Sequence, residues 1–371
     1  MNPPTLARVG GVGALRGPFA DARTATPVPS PRSRRRLSQT VGRSPQLANV
    51  DVPVKEAGFS SETAGSGGSL LVDRQITVGG LSLVYSCATQ AGNDPGGMQK
   101  DNQDSWVVKE RLGGQDVIFF GVFDGHGYDG GKVSQAVVRS LPELIQNSEA
   151  YKKGDFPESF RQTFPEANEE VKAMQHIDTM LSGSTGITAL VHGDGEMMIG
   201  NLGDSRCVIG GVDSKGETYA KALSTDHKPT IPEEGERILS CNGRTCPYIC
   251  DGEPIGPVRV WLMEEDMPGL CMSRSFGDEV AASVGVIDEP EVTSHKCSPT
   301  DKYVLLMSDG IFEFIEDDEL IQIVNQFAKA GNTPREVGRK LVREARRRWN
   351  IEEDDVVDDC TVIVVYLSME K

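Results

Sequence analysis

The sequence predicts an α+β fold, and three observations predict it. Short apolar, β-branched runs bounded by Gly recur at residues 81–87, 117–124, 184–210, 303–308 and 361–367, the pattern of buried strands. Two pairs of segments instead carry their apolar residues at helical spacing. The order is strands, helix pair, strands, helix pair and terminal strand, with no βαβ alternation and no G-x-G-x-x-G or Walker loop opening a helix.

Taken in order, residues 1–75 are rich in Arg, Pro, Ser, Thr and Gly and read as a disordered leader and linker, followed by one folded domain over 76–371. Leu81 to Cys87 alternates like a half-buried strand, and Asn102 to Val108 reads as a turn into a strand. Val117 to Phe123 is a fully buried strand ending in Asp124. Lys132 to Gln146 has Val133, Ala136, Val137, Leu141, Leu144 and Ile145 on one helical face, with Pro142 expected to kink it. Phe156 to Met174 is the second helix, with Pro165 expected to break it. Ser184 to Gly210 holds two or more strands turning at Gly193-Asp194-Gly195. Residues 211–272, dense in Gly, Pro and acidic side chains, read as irregular. Two amphipathic helices follow at Asp317 to Ala330 and Thr333 to Trp349, the second opened by Thr333-Pro334, and 361–367 is the closing strand.

Charge narrows the function classes. The chain carries −17 overall but residues 1–48 carry +7, from eight Arg against Asp21 alone, which leaves −24 for the rest. So acidic a body is a poor ligand for nucleic acid or an anionic membrane, and no apolar run approaches the roughly 18 residues of a membrane span. The start of the chain has no continuous apolar h-region, so its eight Cys are expected as reduced intracellular thiols, in the cytoplasm or nucleus. An organelle address in the Arg-rich leader is the competing reading. Asn2 excludes N-myristoylation, and Arg35-Arg36-Leu37-Ser38 resembles a basophilic kinase target. Cys241, Cys246 and Cys250 cluster without a C-x-x-C pair, a weak signal for zinc.

The chemistry lies in four aspartates at strand ends. Asp124 opens Asp124-Gly125-His126-Gly127, Asp204 sits in Gly203-Asp204-Ser205-Arg206, Asp309 follows Met307-Ser308, and Asp358 stands just before the last strand. Carboxylates delivered by strands to one rim of a sheet repel one another unless a cation holds them. Hard oxygen donors without a Cys/His cluster favour Mg²⁺ or Mn²⁺. His126, beside the first of them, is suited to protonating a leaving group. The residues alone therefore point to a metal-dependent hydrolase.

In this setting the chain resembles the metal-dependent Ser/Thr protein phosphatases of type 2C. The resemblance runs over about 80–370 and rests on motifs in the family's order: Asn102-Gln103-Asp104, Asp124-Gly125-His126-Gly127, Ser182-Gly183-Ser184-Thr185, Gly203-Asp204-Ser205-Arg206, Asp226-His227-Lys228-Pro229, Ser273-Arg274-Ser275-Phe276-Gly277-Asp278, Ser308-Asp309-Gly310 and Asp358-Asp359-Cys360-Thr361. It implies two antiparallel sheets packed face to face with a helix pair on each outer side, a four-layer αββα sandwich with two Mg²⁺ or Mn²⁺ ions at one end. It also implies roles. Asp124 would bridge both ions, the Gly125 carbonyl would bind one, and Asp309 and Asp358 would complete the other. Asp104 would hold water around the ions, Asp204 and Glu313 fall where a weaker third ion binds, and Asp278 would support the site. The implied reaction is in-line attack of water on a phosphoserine or phosphothreonine of a protein substrate, without a phosphoenzyme, by a monomer. His126 would protonate the departing oxygen.

Four departures qualify the resemblance. Gln99 and Lys100 stand where an Arg often clamps the substrate phosphate, so Lys100 becomes the candidate clamp. Gln103 replaces a Glu, Asp359 replaces a frequent Asn, and Glu313 replaces an Asp. Two rival readings follow: a pseudophosphatase that binds without turning over, and a two-metal hydrolase of nucleotides or small phosphoesters.

Overall fold

In a computed structural model of the chain, the described residues are 62–66, 72–353 and 356–369. The Arg-rich leader and Ser38 lie outside them. Two six-stranded antiparallel sheets make the centre. The first runs in the order Glu62–Ser66, Ser105–Glu110, Val117–Phe123, Gly186–His192, Glu196–Leu202, Glu291–Lys296. The second runs Thr218–Ala222, Arg206–Val212, Asp301–Met307, Cys360–Met369, Leu81–Gln90, Arg74–Val78. A described strand at 62–66 therefore lies upstream of residue 76 and the strand at 74–78 begins before it, and pairing with longer neighbours fixes both.

The continuous apolar runs are explained by burial on both faces of each sheet. In Val117–Phe123, Ile118, Phe120 and Val122 enter the core between the sheets, while Val117, Phe119 and Phe123 face outward into a second core. The last strand divides likewise, with Ile363, Val365 and Leu367 inside and Val362 and Val364 outside. The helices Gly130–Asn147 and Phe156–Lys172 pack on the outer face of the first sheet, through Val133, Leu141, Phe160 and Phe164. Asp317–Lys329 and Pro334–Glu352 pack on the second, through Leu320, Val324, Val337 and Leu341. This is the αββα sandwich.

Two expectations need correction, one on Pro165 and one on residues 211–272. Pro165 does not break its helix, and Pro142 likewise lies inside its own. Pro142 is buried and Pro165 half-buried, and the packing of each helix on its sheet outweighs a lost backbone bond, a cost of about 3 kcal/mol. Residues 211–272 are largely regular: a strand, the helix Pro232–Ser240, and a projecting sheet of Gly243–Cys250, Glu253–Leu262 and Pro268–Leu270. Asp251-Gly252, both at positive φ, is the Asp-Gly hairpin turn that marks it in the sequence. The capping box of Thr333 and Glu336 opens the last helix where Thr333-Pro334 predicts.

All eight Cys are free thiols. Among the described residues, no helix is long and apolar enough to cross a membrane.

Candidate metal and proton-transfer site

Register places the aspartates. Phe123 lies opposite Ser105, so Asp124 and Asp104 leave adjacent strands of the first sheet at the same end. In the second sheet Met307 lies opposite both Arg206 and Val362, which sets Asp204, Asp309 and the 358–361 segment side by side. Both groups meet at one rim of the sandwich, and hydroxyls tie them together. Thr185 Oγ1 accepts from the Asp124 backbone N–H (3.0 Å) and lies 2.6 Å from Ser205 Oγ. Ser308 Oγ donates to Asp104 Oδ2 (2.8 Å) and accepts from the Thr361 N–H (3.0 Å).

Burial and mutual repulsion dominate the electrostatics. Asp124 and Asp309 are pushed well above the usual carboxylate range, first by burial and then by their neighbours: Asp104, Asp309, Asp358 and Asp204 act on Asp124, and Asp204 and Asp358 on Asp309. Burial, with Asp359 and Asp358 nearby, raises Asp104 to about 7. Glu313 is raised by burial and by Asp204, against the opposing pull of Lys228.

Two lysines answer this charge. Lys100 Nζ is 2.6 Å from Asp358 Oδ1 and 3.5 Å from Asp359 Oδ2, and Lys228 pairs with Asp204. Among the described residues, no three His, Cys, Asp or Glu side chains are drawn together as a closed ligand set. The carboxylates turn toward the ammonium groups instead. The donors nonetheless fit a hard divalent cation. They are all oxygen, and the buried Oδ1 atoms of Asp309 and Asp104 have no hydrogen-bond partner, an expensive state for a carboxylate without a cation.

Beside the carboxylates a small sheet pairs Gly125-His126 with Gly183-Ser184 and those with Phe276-Gly277. It brings Asp278 to His126, Nε2 to Oδ2 2.7 Å, and Ser275 Oγ donates to the same oxygen (2.6 Å). Gly183 makes room, since a Cβ there would fall 2.2 Å from Asp278 Oδ2. Burial alone would lower the imidazole pKa, but Asp278 outweighs it and the net shift is upward. The other ring nitrogen, Nδ1, is buried and unpartnered.

The predicted residues thus gather at one rim: Asp104, Asp124, Gly125, His126, Asp204, Asp278, Asp309, Glu313 and Asp358. Two behave differently from expectation. Lys100 rests on Asp358 and Asp359 in this structure. Gln103 turns its side-chain amide to the Gly127 carbonyl (2.8 Å), away from the carboxylates. Lys228 received no role from sequence reasoning; its signal was its place in the Asp226-His227-Lys228-Pro229 motif. Asp359 was read only as a substitution, yet it accepts from two backbone N–H groups, Gly92 (2.6 Å) and Gln103 (2.9 Å).

Comparison with known proteins decides the family, because the model of the family described as protein phosphatase 2C matches residues 96–353. The chain belongs to the protein phosphatase 2C family. It is 35% identical over 302 residues to the Arabidopsis thaliana protein named "Probable protein phosphatase 2C 52", covering 72% of this chain and 63% of that one. Against "Probable protein phosphatase 2C 35" of the same plant it is 34% identical over 304 residues, 78% of this chain and 85% of the other. The fold is similar to a serine-threonine phosphatase 2C from Toxoplasma gondii, at a TM-score of 0.69 and 21% identity, over 81% of this chain and all of that one. A C. elegans sex determining protein shares the fold at a TM-score of 0.59 and 21% identity, over 76% of this chain and 64% of that one. Family membership makes the chain a protein serine/threonine phosphatase.

Proposed function

We propose that this protein phosphatase 2C hydrolyses phosphoserine and phosphothreonine in protein substrates with the help of two divalent cations, Mg²⁺ or Mn²⁺. The observation that carries this reading is the half-buried Asp124 amid Asp104, Asp204, Asp309 and Asp358, one residue from the backbone that presents the His126–Asp278 pair. Asp124, the Gly125 carbonyl, Asp309 and Asp358 would hold the two ions, and Asp204 with Glu313 a weaker third. Ions held there would supply Lewis acidity and the positive charge that an otherwise acidic rim withholds from a phosphate.

The chain's own residues do the rest. Asp278 engages His126 at Nε2, so the proton for the departing serine or threonine oxygen sits on Nδ1. The Asp278 carboxylate, 2.7 Å from Nε2, favours the protonated imidazole that this step needs. Lys100, whose side chain is 28% exposed, would swing from Asp358 to the substrate phosphate once a cation takes over that carboxylate. Asp104 would orient water through the oxygen that Ser308 leaves free.

The test is turnover of a phosphothreonine peptide by the full chain, titrated with Mn²⁺ and Mg²⁺, with and without EDTA. Metal-dependent turnover that disappears in Asp124→Ala supports the reading. A folded protein that binds the peptide at millimolar metal without hydrolysing it would make the chain a binding module.

A further inference from the structure

The turn that carries His126 also presents an apolar surface to water. His126 lies opposite Gly183 in an antiparallel pair, so Tyr128 and Leu181 follow on facing chains as the pair ends. A Cβ on Gly127 would fall 2.3 Å from the Leu181 carbonyl oxygen, and the Asp129 N–H donates to Ser182 Oγ at 3.0 Å. The segment after Asp278 holds the same loop from its other side. There the N–H groups of Glu279 and Val280 donate to the carbonyls of Thr179 (2.9 Å) and Met180 (3.1 Å). The backbone is fixed, yet its large apolar side chains stay outside: Tyr128 is 93% exposed, Met180 51% and Leu181 46%. Apolar side chains held in water by a rigid backbone make a contact surface that loses little freedom when it is covered.

A groove continues from this shelf. It encloses about 600 Å³ between the helix Gly130–Asn147 and the turn after Phe156–Lys172, with Ala136, Leu144, Met174 and Ile177 among its walls. Asp129, next to Tyr128, joins the shelf to both walls. One of its oxygens accepts the Asp178 N–H at 2.9 Å, beside Ile177, and the other lies 2.7 Å from Nζ of the groove residue Lys132.

The reaction says what covers this surface. The oxygen that His126 protonates is the side-chain oxygen of a serine or threonine, so the substrate's own chain is attached to it and must leave the site next to His126. We propose that Tyr128, Met180 and Leu181, with the groove behind them, dock the substrate chain around its phosphorylated residue and select large apolar side chains there. The inference rests on the phosphatase reading and names a substrate class for it. Its effect falls on binding, because none of these side chains touches the reacting atoms.

The experiment compares the full-length natural chain with the double variant Y128N/L181N, altered only at exposed side chains, and with Q135W, which plugs the groove from its half-exposed wall. The substrates are phosphothreonine peptides with Leu or Asn at the flanking positions, the Leu peptide in a long and a short form. A further substrate is p-nitrophenyl phosphate, whose phenolate leaves without a proton. For the natural chain with Mn²⁺, KM is about tenfold lower on the Leu than on the Asn peptide, and kcat agrees within about threefold. In Y128N/L181N, KM on the Leu peptide rises about tenfold to that of the Asn peptide, again with kcat within about threefold. Q135W raises KM about threefold or more on the long Leu peptide only. Absence of a preference in the natural chain, a preference that survives in Y128N/L181N, or a Q135W effect equal on long and short peptides overturns the proposal. If the natural chain hydrolyses neither the peptides nor p-nitrophenyl phosphate, the phosphatase reading fails. Fluorescence anisotropy of a labelled Leu peptide then decides the docking surface: binding about tenfold weaker in Y128N/L181N supports it, and equal binding refutes it.

Discussion

His126 Nε2 and Asp278 Oδ2 stand 2.7 Å apart although 152 residues separate them in the chain. The small sheet at the rim brings them together, and Asp278 holds its place at a positive φ of 48°. A carboxylate that close favours the charged imidazole.

The first prediction removes that carboxylate. Asp278→Asn keeps the backbone, because Asn tolerates left-handed φ, but it lowers the His126 pKa. The alkaline limb of kcat on a phosphopeptide then moves to lower pH, and kcat falls by roughly 10²-fold near neutrality. On p-nitrophenyl phosphate the loss is small. An unshifted limb would mean that His126 donates its proton without Asp278.

Lys228 pairs with the 3%-exposed carboxyl of Asp204 and also acts on Asp309, so it serves as a tethered cation where a divalent ion would lie. Lys228→Met leaves those charges unbalanced. The metal-free protein should melt several degrees lower, as a loss of about 1–3 kcal/mol implies. Calorimetry should show tighter Mn²⁺ binding, because the ion no longer competes with an ammonium. A variant with unchanged melting and unchanged affinity would show that the ion pair is incidental.

The raised carboxylates set the pH response of the metal-free protein. Asp104 is lifted to about 7, and Asp124 and Asp309 well above their usual value, all chiefly by burial. The folded state therefore holds protons that the unfolded chain has already lost. That stability is fully present below the unfolded carboxylate pKa and is lost as pH rises through the folded one. The slope is about 1.4 kcal/mol per pH unit for each extra proton. His227, pushed down to about 4 mainly by burial, has the opposite slope. It titrates below about 6.5, its unfolded value, so it is silent above that. Between about pH 6.5 and 8, melting in EDTA should fall as pH rises, and Mn²⁺ should flatten the slope. A pH-independent melt in EDTA would contradict the buried cluster.

How much of this was legible in the sequence depends on what each residue faces. Strands buried on both faces, such as Val117–Phe123, are readable because every residue is apolar, and the aspartates at their ends stand out against that background. The projecting hairpin 243–262 was not readable as strand, because Tyr248, Ile249 and Ile255 are exposed and no alternation survives. Pro165 misled because its local cost is fixed while the tertiary packing that overrides it is invisible to the chain alone. The rim residues could be named from their positions, but their partners could not. Lys228 reaches Asp204 across 24 residues, and Gln103 reaches Asp359 across 256. Such links depend on register between strands, which spacing in the sequence does not encode.

Gly310 offers the last prediction, because it shows how tightly the ends of two paired strands of the second sheet are fitted around Asp309. A Cβ at this position would lie 1.9 Å from the backbone carbonyl oxygen of Asp359, a contact no rotamer can relieve. Gly310→Ala must therefore separate the turn carrying Asp309 from the segment carrying Asp358 and Asp359. The two outer bonds at that turn, Trp349 Nε1 and Cys360 Sγ to the Gly310 carbonyl, would be strained with it. A loss of about 2–4 kcal/mol is expected, within the range of overpacked sites, along with Mn²⁺ affinity at least tenfold weaker. Melting and calorimetry on the same sample separate the two effects. Weak metal binding in a protein melting at its natural temperature would mean that the backbone yields locally, whereas natural behaviour in both would refute the close packing of Gly310 against Asp359.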